Sequence, residues 1–545
     1  MKNNFITSLC VLFLIPTIAT AQENVETAHQ ATDAERESVN TQAEAIRFDI
    51  WEYRVAGNTL IEQAMLERAL IPYLGPGRTS SVINDAADAL EKLYRDQGYP
   101  AVFVDIPEQN VIGGVVKLQI TEGTISRLRI TGADYFTLSG LTEMVPSLHT
   151  GQTIHMPTVQ AEIQKLHSYS TDLQAVPILK AGREPGTMEI ELRVKDELPL
   201  HGYIELNNHY SANTTELRLE GSISYDNLWQ KFHSLKLLGQ VSPEDTDEVR
   251  VLVANYIMPV NDDRNRLAVY YVKSDSDIAT VGGLAVIGKG DIVGTRYVIP
   301  LPGSQALNHA TTLGFDFKDV EDVVDVVGGE PLKTPIQYFV ANAAYNATAY
   351  AEDSTTRYTA GVNLGIRGPN SRDEFEDKRF KANPDFIYFR GEINRTDMLP
   401  ADVDVVTSVK LQLTDSPLVS NEQFSAGGYL TVRGYLESQV LGDNAIAAGI
   451  ELLSPRLFKS ATGSYRKRLL TFLEGASVKT LEPLPGQDEH NELASTGVGL
   501  RVTKSKQLTI KLDWAYPLRD AGNEASGNLV RKGDSRAVFS LAYSF

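Results

Sequence analysis

Large apolar residues alternate with small or polar residues along most of the last two thirds of the chain. The final segment shows this most clearly, because Ala537, Phe539, Leu541, Tyr543 and Phe545 alternate with residues that are mostly small or hydroxylic. A period of two predicts a β-strand, and one apolar face is typical of a strand between lipid and a wet lumen. We therefore predict a closing barrel strand with Phe545 as its terminal signal.

The same alternation predicts that residues 198–545 form a transmembrane β-barrel of about 16 antiparallel strands. In segment 508–516 the aromatic and aliphatic side chains are predicted to point outward, with Thr509, Lys511, Asp513 and Ala515 inward. An even strand number is what closure of a bacterial single-chain barrel normally requires. Similar segments are 217–225, 249–258, 266–272, 337–345, 356–366, 403–413 and 497–502.

The start of the chain has the pattern of an export signal. Lys2 is followed by an apolar stretch, 5–18, and then by the small residues Ala19-Thr20-Ala21. We predict a signal peptide over residues 1–21. The only cysteine, Cys10, lies within it, so the mature chain is expected to form no disulfide and no cysteine-based site.

Residues 22–45 are polar, acidic and rich in Ala, Glu and Gln. They lack an apolar stripe broad enough to demand a core, so we predict a linker or a detachable helix. Beyond the signal peptide, no apolar run approaches the ~20 residues that a transmembrane helix needs. A closed barrel is therefore the expected membrane-spanning part.

The predicted mature chain is acidic. Without Lys2 it has 50 basic and 70 acidic residues, a net charge of −20. This balance argues against nucleic acid as a partner, and acidic loops that keep the protein soluble explain it equally well. The nine histidines lack metal-ligand spacing, and no G-x-S-x-G motif is present. We expect no catalytic residue, no cofactor and no metal.

The region before the barrel contains an internal duplication. The segment 53–57, YRVAG, returns as 128–132, LRITG, and the pattern of 70–77 returns at 144–151. The period of roughly 75 residues is that of a small domain rather than of a solenoid repeat. We predict two copies of one unit, 46–122 and 123–197.

Each copy is predicted to contain a strand ending in Gly, a short helix broken by Pro, a second helix and two further strands. The apolar face of the second helix is formed by Val82, Ala86, Leu90, Leu93 and Tyr94 in the first copy and by Val159, Ile163 and Leu166 in the second. The two later strands are 101–106 and 115–121 in the first copy, and 176–180 and 188–194 in the second.

A tandem β-α-α-β-β unit ahead of a barrel resembles the POTRA domain, an α+β periplasmic module of polypeptide-transport proteins. The resemblance implies that the two units bind unfolded client chains by adding a strand to a sheet edge. An edge strand offers unpaired donors and acceptors to any extended peptide, whatever its sequence. The alternative is that the two units are only spacers.

A long loop between the eleventh and twelfth predicted strands contains the sequence EQFSAGGYLTVRGY, residues 422–435. Its tetrad Val432-Arg433-Gly434-Tyr435 resembles the VRGY/F signature on the sixth extracellular loop of the outer-membrane assembly superfamily. The EQFSAGG stretch is similar to the two-partner secretion branch, TpsB, whose members are called haemolysin secretion/activation proteins. Two POTRA units and a 16-stranded barrel match this branch across nearly the whole mature chain.

Arg433 brings a permanent charge with up to five donors, which need an anionic or polar wall. The resemblance implies an acidic partner on the thirteenth strand in an F-x-D-x-G pattern, where this chain has Phe472 and Glu474. Glu474 replaces Asp and Ala476 replaces Gly, so the family's pairing geometry is not simply transferable. The alternative is that Arg433 reaches loop carbonyls and Glu474 is a solvated lumen charge.

The resemblance implies a transporter in the outer membrane of a Gram-negative bacterium, with its POTRA domains in the periplasm. It would secrete one large unfolded exoprotein, TpsA, of haemolysin or adhesin type. Outer-membrane lipid and, during biogenesis, the barrel assembly machinery are further expected partners, and residues 22–45 would correspond to the family's plug helix. The alternatives are an assembly insertase and a passive porin.

Overall fold

The structure, a computed structural model, describes residues 47–261, 265–276, 278–281, 284–324, 332–457, 465–505, 507–521 and 530–545. They form two small α+β units followed by a closed barrel. The predicted signal peptide, 1–21, and the predicted linker or plug helix, 22–45, lie outside the described residues.

The first unit is a three-stranded sheet with two helices packed on it. In the sheet order β2-β5-β4, β2 is parallel to β5 and β4 is antiparallel to it. A two-stranded pair of β1 and β3 was not predicted. The elements are β1 (Arg47–Ile50), β2 (Glu52–Ala56), α1 (Gln63–Leu70), a 3-10 turn (Ile71–Tyr73), β3 (Gly75–Thr79), α2 (Ser80–Asp96), β4 (Val102–Asp105) and β5 (Val115–Glu122).

The second unit repeats this topology. Its sheet order is β6-β8-β7, with β6 parallel to β8 and β7 antiparallel to it. Helix α4 buries Val159, Ile163 and Leu166, the three residues predicted for its inner face. The elements are β6 (Thr124–Thr131), α3 (Leu138–Met144), a 3-10 turn (Pro146–Leu148), α4 (Met156–Tyr169), β7 (Leu173–Ala181) and β8 (Thr187–Asp196).

The glycine that ends the first strand of each repeat has the same structural role in both. Gly57 and Gly132 have φ angles of +89° and +81°, which side chains rarely adopt. A Cβ atom on Gly57 would lie 2.2 Å from the Ile120 carbonyl oxygen, and one on Gly132 would lie 2.3 Å from that of Val194. The repeated sequence therefore keeps glycine where the chain crosses over the central strand of the sheet.

Sixteen strands of the described chain close into an antiparallel barrel, which is the number predicted. The β14–β15 hairpin lies between its fifth and sixth strands, and the short strands β22 and β23 lie between its eleventh and twelfth strands. The barrel strands are β9 (Leu200–Asn207), β10 (Arg218–Leu228), β11 (His233–Val241), β12 (Arg250–Val260), β13 (Asn265–Ser274), β16 (Lys289–Pro300), β17 (Leu307–Val324), β18 (Leu332–Tyr350), β19 (Ser354–Ile366), β20 (Ile387–Leu399), β21 (Val403–Thr414), β24 (Asn444–Leu453), β25 (Tyr465–Lys479), β26 (His490–Lys504), β27 (Leu508–Pro517) and β28 (Arg536–Ser544). The four further strands are β14 (Ile278–Val281), β15 (Leu284–Ile287), β22 (Phe424–Ala426) and β23 (Val440–Gly442), and helix α5 (Arg372–Lys378) lies between β19 and β20.

The last strand closes the barrel as predicted. Strand β28 pairs with β27 on one side and with β9 on the other. The Phe545 backbone N–H donates to the Gly202 carbonyl oxygen at 3.0 Å, and the Gly202 N–H donates back at 3.1 Å. A Cβ atom on Gly202 would lie 2.4 Å from the Phe545 ring, so this glycine gives the terminal aromatic side chain its place.

The predicted inward and outward faces are present. On β27, Leu512, Trp514 and Tyr516 are exposed on the outside, whereas Asp513 and Ala515 are buried on the inside. Such an outer apolar surface suits lipid. None of the described helices has the length and hydropathy of a membrane-spanning helix.

The second unit contacts the rim of the barrel where β9 begins. The His201 Nε2 atom lies 2.9 Å from an Asp172 carboxylate oxygen and 3.6 Å from one of Asp226. One nitrogen or oxygen atom from each of these three side chains lies within 4.8 Å of the others, a spacing at which such atoms could ligate a metal ion. Because the three residues belong to different elements, no sequence spacing indicated this group.

Candidate functional site in the barrel lumen

Loop 6, residues 415–443, leaves β21 at the barrel mouth opposite the rim that contacts the second unit, and returns to β24. Within it, β22 and β23 pair as a short hairpin. At the turn beyond this hairpin, Gly427 and Gly428 have positive φ angles, and a Cβ atom on Gly428 would lie 2.3 Å from the Glu437 carboxyl carbon. Glycine is therefore required for the sharp reversal that brings the loop tip onto the lumen wall.

Arg433 lies at the loop tip and is 1% exposed. Its backbone N–H donates to one Glu474 carboxylate oxygen at 2.7 Å, and its Nε donates to the other at 2.9 Å. The structure therefore brings together the two residues that the sequence placed on the loop and on the thirteenth strand. The guanidinium also lies over the Phe472 ring, with Cζ 3.7 Å from the ring centroid.

The substitution of Asp by Glu at position 474 fits this geometry. The longer side chain places one carboxylate oxygen on the Arg433 backbone N–H and the other on its guanidinium. Ala476, the second departure, is buried in the apolar cluster that packs around loop 6. Neither departure separates the loop from the wall.

Two further carboxylates contact Arg433, and motif reasoning did not identify them as its partners. Asp513 on β27 accepts from Arg433 at 3.2 Å, and Glu451 on β24 forms an ion pair with it. Arg501 on β26 binds both oxygens of Asp513, at 2.5 and 2.8 Å. The inward direction of Asp513 was predicted from strand alternation, but its meeting point with Arg433 and Arg501 depends on the curvature of the barrel.

This group of five, which we call the tip cluster, consists of Arg433, Arg501, Glu451, Glu474 and Asp513. Its formal charge is −1, with two bases against three acids. Buried charges are tolerated only when they are paired, and removing one partner of a buried pair typically costs about 3–5 kcal/mol. The tip cluster therefore holds the loop by contacts that become costly when they are broken singly.

The other three members of the tetrad also pack against the barrel or the apolar cluster around loop 6. Val432 is fully buried in the apolar cluster. The Tyr435 hydroxyl lies 2.9 Å from the Ala494 carbonyl oxygen and 2.8 Å from that of Arg519. A Cβ atom on Gly434 would lie 3.1 Å from the Ala515 Cβ, so a side chain here would press against β27.

Comparison with known proteins identifies the family. Residues 186–502, more than half of the chain, match the family described as haemolysin secretion/activation protein ShlB/FhaC/HecB. The chain belongs to this family. Residues 48–123 match the ShlB-type POTRA domain, so the first unit is a POTRA domain.

Individual relatives agree with this assignment. The outer membrane transporter CdiB of Escherichia coli O6:K15:H31 is 25% identical over 181 residues, which cover 33% of this chain and 30% of that protein. The chain thus spans about a third of the length of that relative. The heme/hemopexin transporter protein HuxB of Haemophilus influenzae is 20% identical over 483 residues, or 84% of this chain and 81% of HuxB.

The fold is also similar to a solved structure of CdiB from Escherichia coli. That structure has a TM-score of 0.62 at 19% identity and covers 94% of this chain and 93% of its own. The predicted family is thus confirmed, and so is the predicted fold class of a 16-stranded barrel preceded by a POTRA domain. The protein is an outer-membrane β-barrel with its POTRA region in the periplasm.

Proposed function

We propose that this protein is a two-partner secretion transporter. It carries one large partner exoprotein, TpsA, of haemolysin or adhesin type, across the outer membrane. The observation that supports this most is the anchored loop 6, whose tip is fixed to the lumen wall by Arg433 and Glu474. A channel that opens only for its client needs a plug with such a specific and breakable anchor.

The periplasmic units offer a place for the unfolded client. We propose that the second unit is also a POTRA domain, because its sheet order and strand directions repeat those of the first. Strands β4 and β7 each lie at a sheet edge. Phe103 on β4 and Val176 on β7 are each about half exposed, which suits an extended client with apolar residues.

We propose that export takes place in three steps. The client adds a strand to a POTRA edge, the tip of loop 6 leaves the wall, and the client passes the lumen in an extended form. Folding of the client outside the cell prevents its return to the periplasm. Any process that removes the unfolded chain from the outside shifts the transport equilibrium toward export. Residues 22–45 serve in this proposal as the plug helix, outer-membrane lipid surrounds the barrel, and the barrel assembly machinery inserts it.

Replacement of Arg433 by Ala tests the proposal. We expect Arg433→Ala to lose most export of the partner exoprotein, because Glu474 is left buried without its cation and loop 6 loses the anchor of its closed position, while Arg501 still binds Asp513. The measurement is the amount of exoprotein in the medium when both genes are co-expressed. The matched control is Arg395→Ala, because Arg395 pairs with Asp397 on its own strand and is half exposed. Retained heat-modifiability on gels shows that each barrel is folded.

The same variants separate the alternatives. Export by Arg433→Ala at the wild-type level would remove loop 6 from the mechanism. A general loss of outer-membrane proteins when the wild-type gene is depleted would favour the insertase. The porin would be favoured if the barrel without residues 22–197 conducts ions steadily and if Arg433→Ala does not change this conductance.

A further inference from the structure

A second buried charge of loop 6 lies far along the loop from Arg433. Glu422 ends the 3-10 turn Ser420–Glu422 at the start of the loop and is 1% exposed. Its carboxylate forms an ion pair with Lys318 on β17 and accepts hydrogen bonds at 2.7 Å from the hydroxyls of Tyr338 and Tyr388. These three donors lie on β17, β18 and β20, whereas the four wall residues of the tip cluster lie on β24 to β27.

Loop 5, residues 367–386, covers this pocket. Its helix α5 places Phe375, which is fully buried, against the Tyr338 ring at 5.6 Å between centroids. Loop 5 thereby shields the Glu422 carboxylate from water. A charge that is removed from water is stable only while its partners are in place. The Glu422 pocket, formed by Lys318, Tyr338 and Tyr388, is thus closed by loop 5 and filled by Glu422 of loop 6.

The other end of the loop is tied to loop 5 as well. Asp443 is fully buried, and its two oxygens accept from Arg379 at 2.9 and 2.7 Å. The backbone N–H groups of Leu418 and Leu481 donate to the same carboxylate at 2.9 and 2.7 Å. Both ends of loop 6 therefore carry a buried acid that is bound to a base outside the loop.

We propose that Glu422 and its pocket form a second latch on loop 6, which holds the stem of the loop at the extracellular mouth independently of Arg433. Glu422 is a positioning residue of the closed state. The inference rests on the proposed role of loop 6 as the gate. It adds that two anchors of opposite sign, a base at the tip and an acid at the stem, must both be released or bypassed before a wide pore opens.

Single-channel recording of the purified full-length protein in planar bilayers tests the latch. Glu422→Gln keeps the size of the side chain but removes its charge, and leaves Lys318 buried without its counter-charge. We expect the fraction of time in open states to rise at least about tenfold over wild type. Lys318→Met should have a similar effect. In the double variant Glu422→Gln/Lys318→Met, the change in the logarithm of the open fraction should be smaller than the sum of the two single changes, because the residues are coupled.

The control is Glu392→Gln. Glu392 is a lumen-wall acid on β20 that is only half buried, and its nearest base, the Lys410 Nζ, is 4.0 Å away. We expect its channel record to equal that of wild type, with all variants heat-modifiable. An unchanged record for Glu422→Gln, or an effect no larger than that of Glu392→Gln, would overturn the latch.

Combination with Arg433→Ala separates the latch from the proposed function. Two independent latches predict that the logarithms of the two open fractions add in Glu422→Gln/Arg433→Ala. If Glu422→Gln adds nothing to Arg433→Ala, the stem acts through the tip and the second latch is wrong. If Arg433→Ala alone leaves the record unchanged, the gating role of loop 6 fails instead.

Discussion

At the residue scale, the contact between Arg433 and Glu474 was accessible from the sequence, but its setting was not. The motif and the alternation on β25 identified both side chains and placed Glu474 in the lumen. Asp513 and Glu451 are separated from Arg433 by 80 and 18 positions. They reach it only because a closed barrel brings the inner faces of β24, β25 and β27 around one point, which no local pattern contains.

The length of the side chain at position 474 provides a residue-scale prediction. Glu474→Asp shortens the side chain by one methylene group. Its carboxylate can then accept from either the Arg433 backbone N–H or the guanidinium, but not from both without a shift of the loop. We expect Glu474→Asp to retain most export and Glu474→Ala to lose it, since only Ala removes the charge. Exoprotein in the medium is the measure. Equal loss in both variants would show that length, not charge, decides the contact.

At the scale of elements, most strands and helices were predicted, and the misses have a physical cause. The predicted segment 337–345 is the centre of β18, which runs over Leu332–Tyr350 and pairs with β17 along its whole length. Strand residues beyond the lipid keep their partners but lose the apolar outer face, so alternation does not indicate them. The β1–β3 pair was missed because Gly75-Pro76-Gly77 at the start of β3 has the composition of a turn.

The repeated glycines provide the prediction at this scale. Gly57→Ala should destabilise the first POTRA unit by about 1–3 kcal/mol or more, because a Cβ atom would lie 2.2 Å from a backbone oxygen at a positive φ. Gly77→Ala is the control, with φ of +65° and no atom within 4 Å of the Cβ. Urea-dependent proteolysis of the full-length protein measures both, and equal midpoints would contradict the packing argument.

At the scale of the whole molecule, the duplication and the two-residue rhythm predicted two small units followed by a barrel, which is the order in the described residues. The export signal stays a prediction. The contact between the second unit and the barrel was not predictable, because it joins Asp172 and His201 across a boundary that the sequence marks only as a change of pattern. The same holds for the covering of loop 6 by loop 5. Loop packing depends on which barrel strands become neighbours, and this is known only once the barrel is closed.

A reversible lock on loop 6 tests the central claim that the loop tip must leave the wall for export. No cysteine follows Cys10, so Gly434→Cys with Ala515→Cys introduces a unique pair. A Cβ atom on Gly434 would lie 3.1 Å from the Ala515 Cβ, and a shift of less than about 1 Å brings them to disulfide distance. Gly434 has a φ of +93° and belongs to the tetrad, so each single-cysteine variant measures what its own substitution costs.

The measurement is export of the partner exoprotein by this double variant under oxidising and then reducing conditions. We expect the oxidised protein to export nothing and the reduced protein to recover the level of the single-cysteine variants. Export by the fully cross-linked protein at the level of its reduced form would show that the client passes without movement of the loop tip, which contradicts the account.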